Sequence, residues 1–363
     1  MENQTLAGPM MQLRNAKKLP RCGVERVLIR GTNWIGDAVI TLAAISAVRE
    51  TYPQAGIFVL AKPWVADIYR LCPYVDEVIV YESPGVHHGL LGLLRLAKEL
   101  KDMNFGVAIL LQNAIEAAII ARLAGIPVRA GYNTDARGFL LTHAVVRTKA
   151  VKKIHQTGYY VKMLKALGCE EGQKGPYLSL ADEDRQKAGC LLQDYGMDED
   201  RPIIGMAPGA TYGPAKKWFP ERFAGLADRL KEEFSAQIIL FGSEGDRGTT
   251  AAVQRKAVHP LIDLAGVTDL RTAISLIARC RLFISNDSGL MHVAGGLNIP
   301  TIAIFGSTNP LTTSPIGDKN TIIYRGVDCS PCLKETCSTD FRCMDIISTD
   351  EVYRAAKRAL CGM

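Results

Sequence analysis

The chain has 363 residues, 48% of them hydrophobic and 22% charged, with a formal net charge of +6. That length divides naturally into two domains of roughly 170 to 190 residues, and no apolar run approaches the roughly 20 residues a membrane span requires. The modest positive charge suits anionic ligands or an anionic membrane face, but the basic residues are scattered without a nucleic-acid motif, which argues against nucleic acid as a partner.

Residues 1–19 carry Arg14, Lys17 and Lys18 with no apolar stretch after them. Residues 1–23 therefore read as a loose leader and not a secretion signal, and a cytoplasmic protein is expected. Residues 27–29 are a short apolar, β-rich run, while Val39, Leu42, Ala43 and Ser46 recur at helical spacing. The turn from Gly31 to Asp37 is thus a strand-to-helix junction, and in open α/β sheets such junctions face the ligand crevice. Asp37 falls at the helix entrance, where free N–H groups favour a carboxylate, so a helix cap and a catalytic carboxylate both stand as readings of it.

Alternation continues with strands at 57–60, 78–81 and 107–111 and helices at 64–71, 90–101 and 114–123. Gly125 closes the last of these, residues 145–146 suggest a further strand, and 155–167 read as a helix ending at Gly168. This pattern predicts a mostly parallel sheet covered on both faces. Between Gly168 and Pro202 the periodicity weakens, which places a boundary near 175–180 and divides the chain into 24–178 and 179–363. A polar helix at 182–195 precedes a second alternation: strands at 203–207, 238–241, 262–264, 282–285 and 302–305, helices at 221–233, 249–257, 270–278 and 290–297. The two halves share this pattern without a sequence repeat.

Three candidate sites follow predicted strands of the second half. In residues 207–220, glycines and prolines are placed so that backbone amides and Lys216 could hold a phosphate. In Phe241-Gly-Ser-Glu-Gly-Asp246 a carboxylate could accept a ribose hydroxyl, although strand-Gly-Ser-acid is also a common turn and cap. In residues 285–294, Asn286, Asp287 and Ser288 cap a helix whose amides could receive an anion, and His292 reads equally as a packed helix-face residue or a ligand contact.

Ten cysteines in a chain of this length are no disulfide framework. Cys22, Cys72, Cys169, Cys190 and Cys280 are isolated and read as small core residues. Cys329, Cys332, Cys337 and Cys343 cluster within fifteen residues. In a cytosolic chain they suit a metal clip better than disulfides, yet their spacing matches no zinc ribbon, so free thiols are the default and a structural metal the alternative. The cluster follows the last predicted strand and is expected to lie away from the chemistry. Ser348 and Glu351 form a capping box for a final helix within 349–361.

Taken together, Trp34-Ile-Gly-Asp37, Ala124-Gly-Ile-Pro127 with Arg129 and Gly131, Pro208-Gly-Ala210, Lys216 before Trp218, Phe241-Gly-Ser243 and Asn286-Asp-Ser-Gly-Leu-Met-His292 carry a likeness. From about Val24 onward the chain resembles the ADP-heptose:lipopolysaccharide heptosyltransferases of glycosyltransferase family 9. The resemblance implies a GT-B fold, two Rossmann-like domains facing each other across a cleft, the first binding acceptor and the second the nucleotide sugar. It implies metal-independent, inverting transfer of heptose from ADP-heptose to the inner core of a lipopolysaccharide precursor, without a cofactor, by a cytoplasmic enzyme peripheral to the inner membrane. Asp37 then resembles the general base, Lys216 the diphosphate contact and Glu244 the ribose contact. Thr211, Tyr212, Ser243, Asp287, Ser288, Gly289, Leu290 and His292 fall on the donor side, and Asn33, Trp34, Gly36 and Asn113 on the acceptor side. Tyr212 stands where some members carry a smaller hydroxyl residue. Alternatives are a GT-B glycosyltransferase with another nucleotide sugar or a protein acceptor, and a non-catalytic nucleotide-binding protein. A dinucleotide oxidoreductase is disfavoured, because residues 31–36 hold two glycines at the wrong spacing for G-x-G-x-x-G.

Overall fold

The computed structural model describes residues 16–362 apart from Pro176 and Glu199. The first half runs β1 Arg26–Arg30, α1 Ile35–Thr51, β2 Gly56–Ala61, α2 Ala66–Arg70, β3 Glu77–Val80, α3 Gly89–Asp102, β4 Val107–Leu110, α4 Ile115–Leu123, β5 Val128–Tyr132, β6 His143–Val145 and α5 Gln156–Ala166. The second runs α6 Asp182–Asp194, β7 Ile203–Ala207, α7 Pro220–Phe234, β8 Gln237–Leu240, α8 Arg247–Lys256, β9 Ile262–Asp263, α9 Leu270–Ile277, β10 Leu282–Asn286, α10 Gly289–Gly296, β11 Thr301–Phe305, α11 Pro310–Thr313, β12 Asn320–Tyr324, α12 Arg342–Asp345 and α13 Thr349–Cys361.

Each half builds one six-stranded sheet, in the orders β3-β2-β1-β4-β5-β6 and β12-β11-β10-β7-β8-β9. Counted from the start of each half, both read 3-2-1-4-5-6, and every strand pair is parallel. The halves repeat a topology that their sequences do not repeat. The central strands are buried along their length because helices cover both faces, which is why they read as unbroken apolar runs. Each fully buried Val, Leu or Ile there contributes about 1.5–3 kcal/mol. In this order the strand sequence reverses between β1 and β4 and between β7 and β10, the places where doubly wound sheets open a ligand crevice.

Several expectations need correction. Residues 1–15 of the expected leader lie outside the described residues, but 16–23 are held down: Leu19 is buried and its N–H donates to the Leu167 carbonyl at 2.9 Å. Strand β12 was missed because its run, NTIIY, is only partly covered. Cys72, Cys169 and Cys280 are buried, whereas Cys22 and Cys190 are exposed. Ser348 Oγ accepts from the Glu351 N–H at 3.2 Å, but the Glu351 carboxylate pairs with Arg325 and does not return to close a capping box. Among the described residues no helix is long and apolar enough to cross a membrane.

Candidate active site

The two crevices meet in one cleft of about 640 Å³ between the halves, a size suited to a small-molecule ligand. The close approach depends on two glycines. A Cβ at Gly36 would lie 2.8 Å from His292 Cδ2, and one at Gly289 would lie 2.9 Å from Ile35 Cβ. Without side chains at these points the first turns of α1 and α10 pack together, and Asp37 is brought to the cavity wall shared with Lys216 and Asp287.

Asp37 is the third residue of α1; the N-cap position is Trp34, and it makes no side-chain cap. The Asp37 carboxylate is half-buried and, among the described residues, has no hydrogen-bond partner. Burial raises its pKa, Lys216 lowers it in part and Asp287 raises it further. A half-desolvated carboxylate with an unused face toward a cavity is poised to accept a proton.

Loop 207–218 is pinned by Asn286, whose Oδ1 accepts from the Trp218 N–H at 3.0 Å and whose Nδ2 donates to the Pro208 carbonyl at 2.7 Å. Trp218 itself is fully buried and donates to the Ile347 carbonyl at 2.9 Å. So anchored, the loop turns Lys216 into the cleft, where Nζ lies 2.6 Å from Asp287 Oδ2 and 4.8 Å from the centre of the Tyr212 ring. Thr308 Oγ1 donates to the same Asp287 oxygen at 2.5 Å. Asn286, Asp287 and Ser288 therefore do not cap α10 with their side chains; the helix start carries no side-chain cap, which leaves its amides to the cavity. His292 is buried there with Nδ1 unpartnered, and burial pushes its pKa down to about 4, so the ring is neutral near pH 7.

On the opposite wall, Arg30 Nη2 donates to Asn33 Oδ1 at 3.1 Å and Trp64 Nε1 to the Asn33 carbonyl at 2.7 Å, which fixes Asn33 beside the exposed Trp34 ring. Asn33, Trp34, Gly36, Thr211, Tyr212, Ser243, Ser288, Gly289, Leu290 and His292 all line the cavity, as expected from their place after strands. Two expected residues do not. Glu244 turns onto Arg247, with Nε 3.0 Å from Oε2, and Asp246 takes its place on the wall, bonded to Ser243 Oγ at 2.7 Å. Asn113 is absorbed in a network, donating to Tyr159 Oη at 3.1 Å and accepting from Arg137 at 3.3 Å.

Sequence reasoning missed Asp269, which follows β9, and Thr308 and Asn309, which follow β11, although the same rule of strand ends applied to them. It also misplaced the cysteine segment. Leu333 lines the cavity; its N–H donates to the Ser307 carbonyl at 2.8 Å, and its carbonyl accepts from Tyr212 Oη at 2.9 Å. The Ala215 N–H donates to the Glu335 carbonyl at 3.0 Å. Residues 329–337 are thus a strap laid against the Lys216 loop and not a remote appendage. All four cysteines are free thiols, and among the described residues no group of three or more His, Cys, Asp or Glu side chains is arranged to hold a metal.

The family model described as glycosyltransferase family 9 (heptosyltransferase) matches residues 93–341. The chain is similar to lipopolysaccharide heptosyltransferase 2 of Salmonella typhimurium, 32% identical over 312 residues that cover 82% of this chain and 87% of the relative. It is 34% identical to lipooligosaccharide heptosyltransferase 2 of Haemophilus ducreyi over 322 residues, 84% of this chain and 89% of the relative. Among solved structures it is similar to ADP-heptose lps heptosyltransferase II of E. coli, with a TM-score of 0.80 at 27% identity over 93% of this chain and 99% of that one.

Proposed function

This chain belongs to glycosyltransferase family 9, the heptosyltransferases, and on that premise we propose that it transfers heptose from ADP-heptose to the inner core of a lipopolysaccharide precursor, with inversion and without a catalytic metal. Residues 24–178 receive the acceptor and residues 179–363 the nucleotide sugar. The observation that carries this reading is the half-buried carboxylate of Asp37, without a hydrogen-bond partner among the described residues, on the cavity it shares with Lys216 and the start of α10.

A sugar hydroxyl is too weak an acid to attack unaided at neutral pH. Asp37 removes its proton as the new bond forms at the anomeric carbon, on the face opposite the departing diphosphate, which inverts that centre. Charge growing on the leaving diphosphate is met by Lys216 and by the free amides at the α10 start, groups already oriented before reaction. Thr211 and Tyr212 approach the phosphates, Asp287 and Leu290 the sugar end, and Ser243 with Asp246 the nucleoside end. Neutral His292 closes the floor of the cleft without adding charge. Asn33 and Trp34 present a polar edge and a flat apolar ring to the acceptor sugars. The enzyme works in the cytoplasm, at the inner face of the membrane that holds its acceptor.

Incubation of the purified protein with ADP-heptose and a truncated inner-core acceptor, followed by mass spectrometry, tests this reading. The expected product carries one added heptose; no mass gain, or transfer from other nucleotide sugars only, would reject it.

A further inference from the structure

Arg30 ends β1 and is 1% exposed, yet among the described residues no carboxylate pairs with it. Its Nη1 donates to the carbonyls of Gly31 at 2.6 Å and Leu60 at 3.3 Å, and its Nη2 to Asn33 Oδ1 at 3.1 Å. Its Nε is buried with no partner among the described residues. Lys62, just after β2, is 7% exposed and donates to the Ser83 carbonyl at 2.9 Å. Both cations lie against one ring, with the Arg30 guanidinium carbon 5.5 Å and Lys62 Nζ 3.5 Å from the centre of Tyr81. Glu116 favours the charged form of both, but its carboxylate accepts from the Tyr81 hydroxyl. Two buried cations thus stand against one carboxylate, directly behind the turn that carries Asn33.

A buried cation is costly unless its surroundings use the charge. Here Arg30 sets the polarity of its neighbour. A guanidinium only donates, so the atom of the Asn33 amide that meets it is the oxygen. The backbone carbonyl of Asn33 is taken as well, by Trp64 Nε1 at 2.7 Å. Nδ2, on the other side of the same planar group, has no partner among the described residues, and Asn33 lines the cavity. Asn33 therefore offers the cleft N–H donors and no acceptor. A hydroxyl gives a hydrogen bond as well as taking one, whereas a carboxylate or phosphate oxygen only accepts and gains further from the positive charge behind the amide.

We propose that Asn33 recognises an anionic substituent, a carboxylate or a phosphate, on the acceptor sugar, and that buried Arg30 is the positioning residue that turns its amide. The inference rests on the sugar acceptor assigned above and adds the charge that this acceptor carries.

Asn33→Asp tests it, because the variant keeps the side-chain shape, gives Arg30 a carboxylate and turns an oxygen toward the cleft. Its melting temperature at pH 7 should equal or exceed that of the wild type. Isothermal titration with a truncated inner-core acceptor should show affinity at least about tenfold below the wild type's, with ADP-heptose binding unchanged. Two altered acceptors identify the anion, one with its carboxylates methyl-esterified and one treated with phosphatase. Toward the acceptor that has lost the recognised group, the two proteins should differ less than about twofold. Arg30→Met should raise KM for the acceptor while KM for ADP-heptose holds; where this buried substitution prevents folding, Asn33→Asp decides. Undiminished acceptor binding by Asn33→Asp, a loss of equal size for all three acceptors, or a lower melting temperature would overturn the proposal. Wild-type preference for the charged acceptor without any heptose transfer would reject the function and leave the anion subsite standing.

Discussion

Lys216 Nζ lies 2.6 Å from Asp287 Oδ2 on the second half's side of the cleft, with Asp37 on the wall facing the pair. The ammonium is held by a carboxylate until a better anion enters, and a diphosphate carries more charge than one aspartate. Lys216→Ala removes the cation that meets the leaving group, and transfer is expected to fall at least about 10²-fold, on the scale of other preorganised electrostatic contacts. A chelator should leave the wild-type rate unchanged. Rate loss in EDTA that magnesium or manganese restores would contradict leaving-group stabilisation by Lys216 and backbone amides.

The strap offers a second test. Tyr212 bonds to the Leu333 carbonyl while its ring faces Lys216, so the phenol ties the cysteine segment to the donor loop. Tyr212→Phe keeps the ring and loses one hydrogen bond, about 0.5–1.5 kcal/mol. Steady-state kinetics should show KM for ADP-heptose rising about two- to tenfold with kcat little changed. An unchanged KM would mean that the strap does not shape the donor site.

His292 makes stability depend on pH. Its folded value, about 4, lies below the ordinary 6.5, so the neutral buried ring contributes stability that is complete above about 6.5 and is lost as pH falls toward 4. The effect is at most about 3 kcal/mol. Calorimetric melting in pH steps should show the wild type weakening across that window and His292→Gln weakening less. Parallel curves would show that the imidazole is not buried neutral.

How far the sequence carried this picture follows from which forces are local. The runs at 27–29, 107–111 and 203–207 are legible because strands buried on both faces must be apolar throughout, and Gly125 and Gly168 mark helix ends because each adopts a left-handed φ. Asp37, Lys216 and Asp287 were legible as strand-end residues. What the sequence does not hold is which partner a side chain takes, whether inside a turn or at a distance. Glu244 and Asp246 both suit a ribose, and the choice is made by Arg247 and by Ser243. Asn113 looked like a crevice residue until Arg137, far along the chain, claimed its oxygen. The strap was misplaced because β12 went unseen, and that strand carries the chain back toward the cleft.

The central claim is that Asp37 is the base, and Asp37→Asn separates that role from a helix-start one. Burial and Asp287 hold its pKa above the ordinary value, so the ionised form costs stability at neutral pH, and the cost fades as pH falls through the raised pKa. The Asn variant should therefore melt at or above the wild-type temperature at pH 7 and bind ADP-heptose nearly as well. The other acids of the cavity are engaged, Asp246 by the Ser243 hydroxyl, Asp269 by the Thr272 N–H and Asp287 by Lys216 and Thr308, while Glu116 and Asp135 do not line it and are held by the Tyr81 hydroxyl and the Ile115 N–H. The deciding measurement is the single-turnover rate of heptose transfer by Asp37→Asn at saturating ADP-heptose and acceptor. A fall of at least about 10²-fold with binding retained is the expected result; a variant that keeps most of the wild-type rate would contradict the assignment of Asp37 as the base.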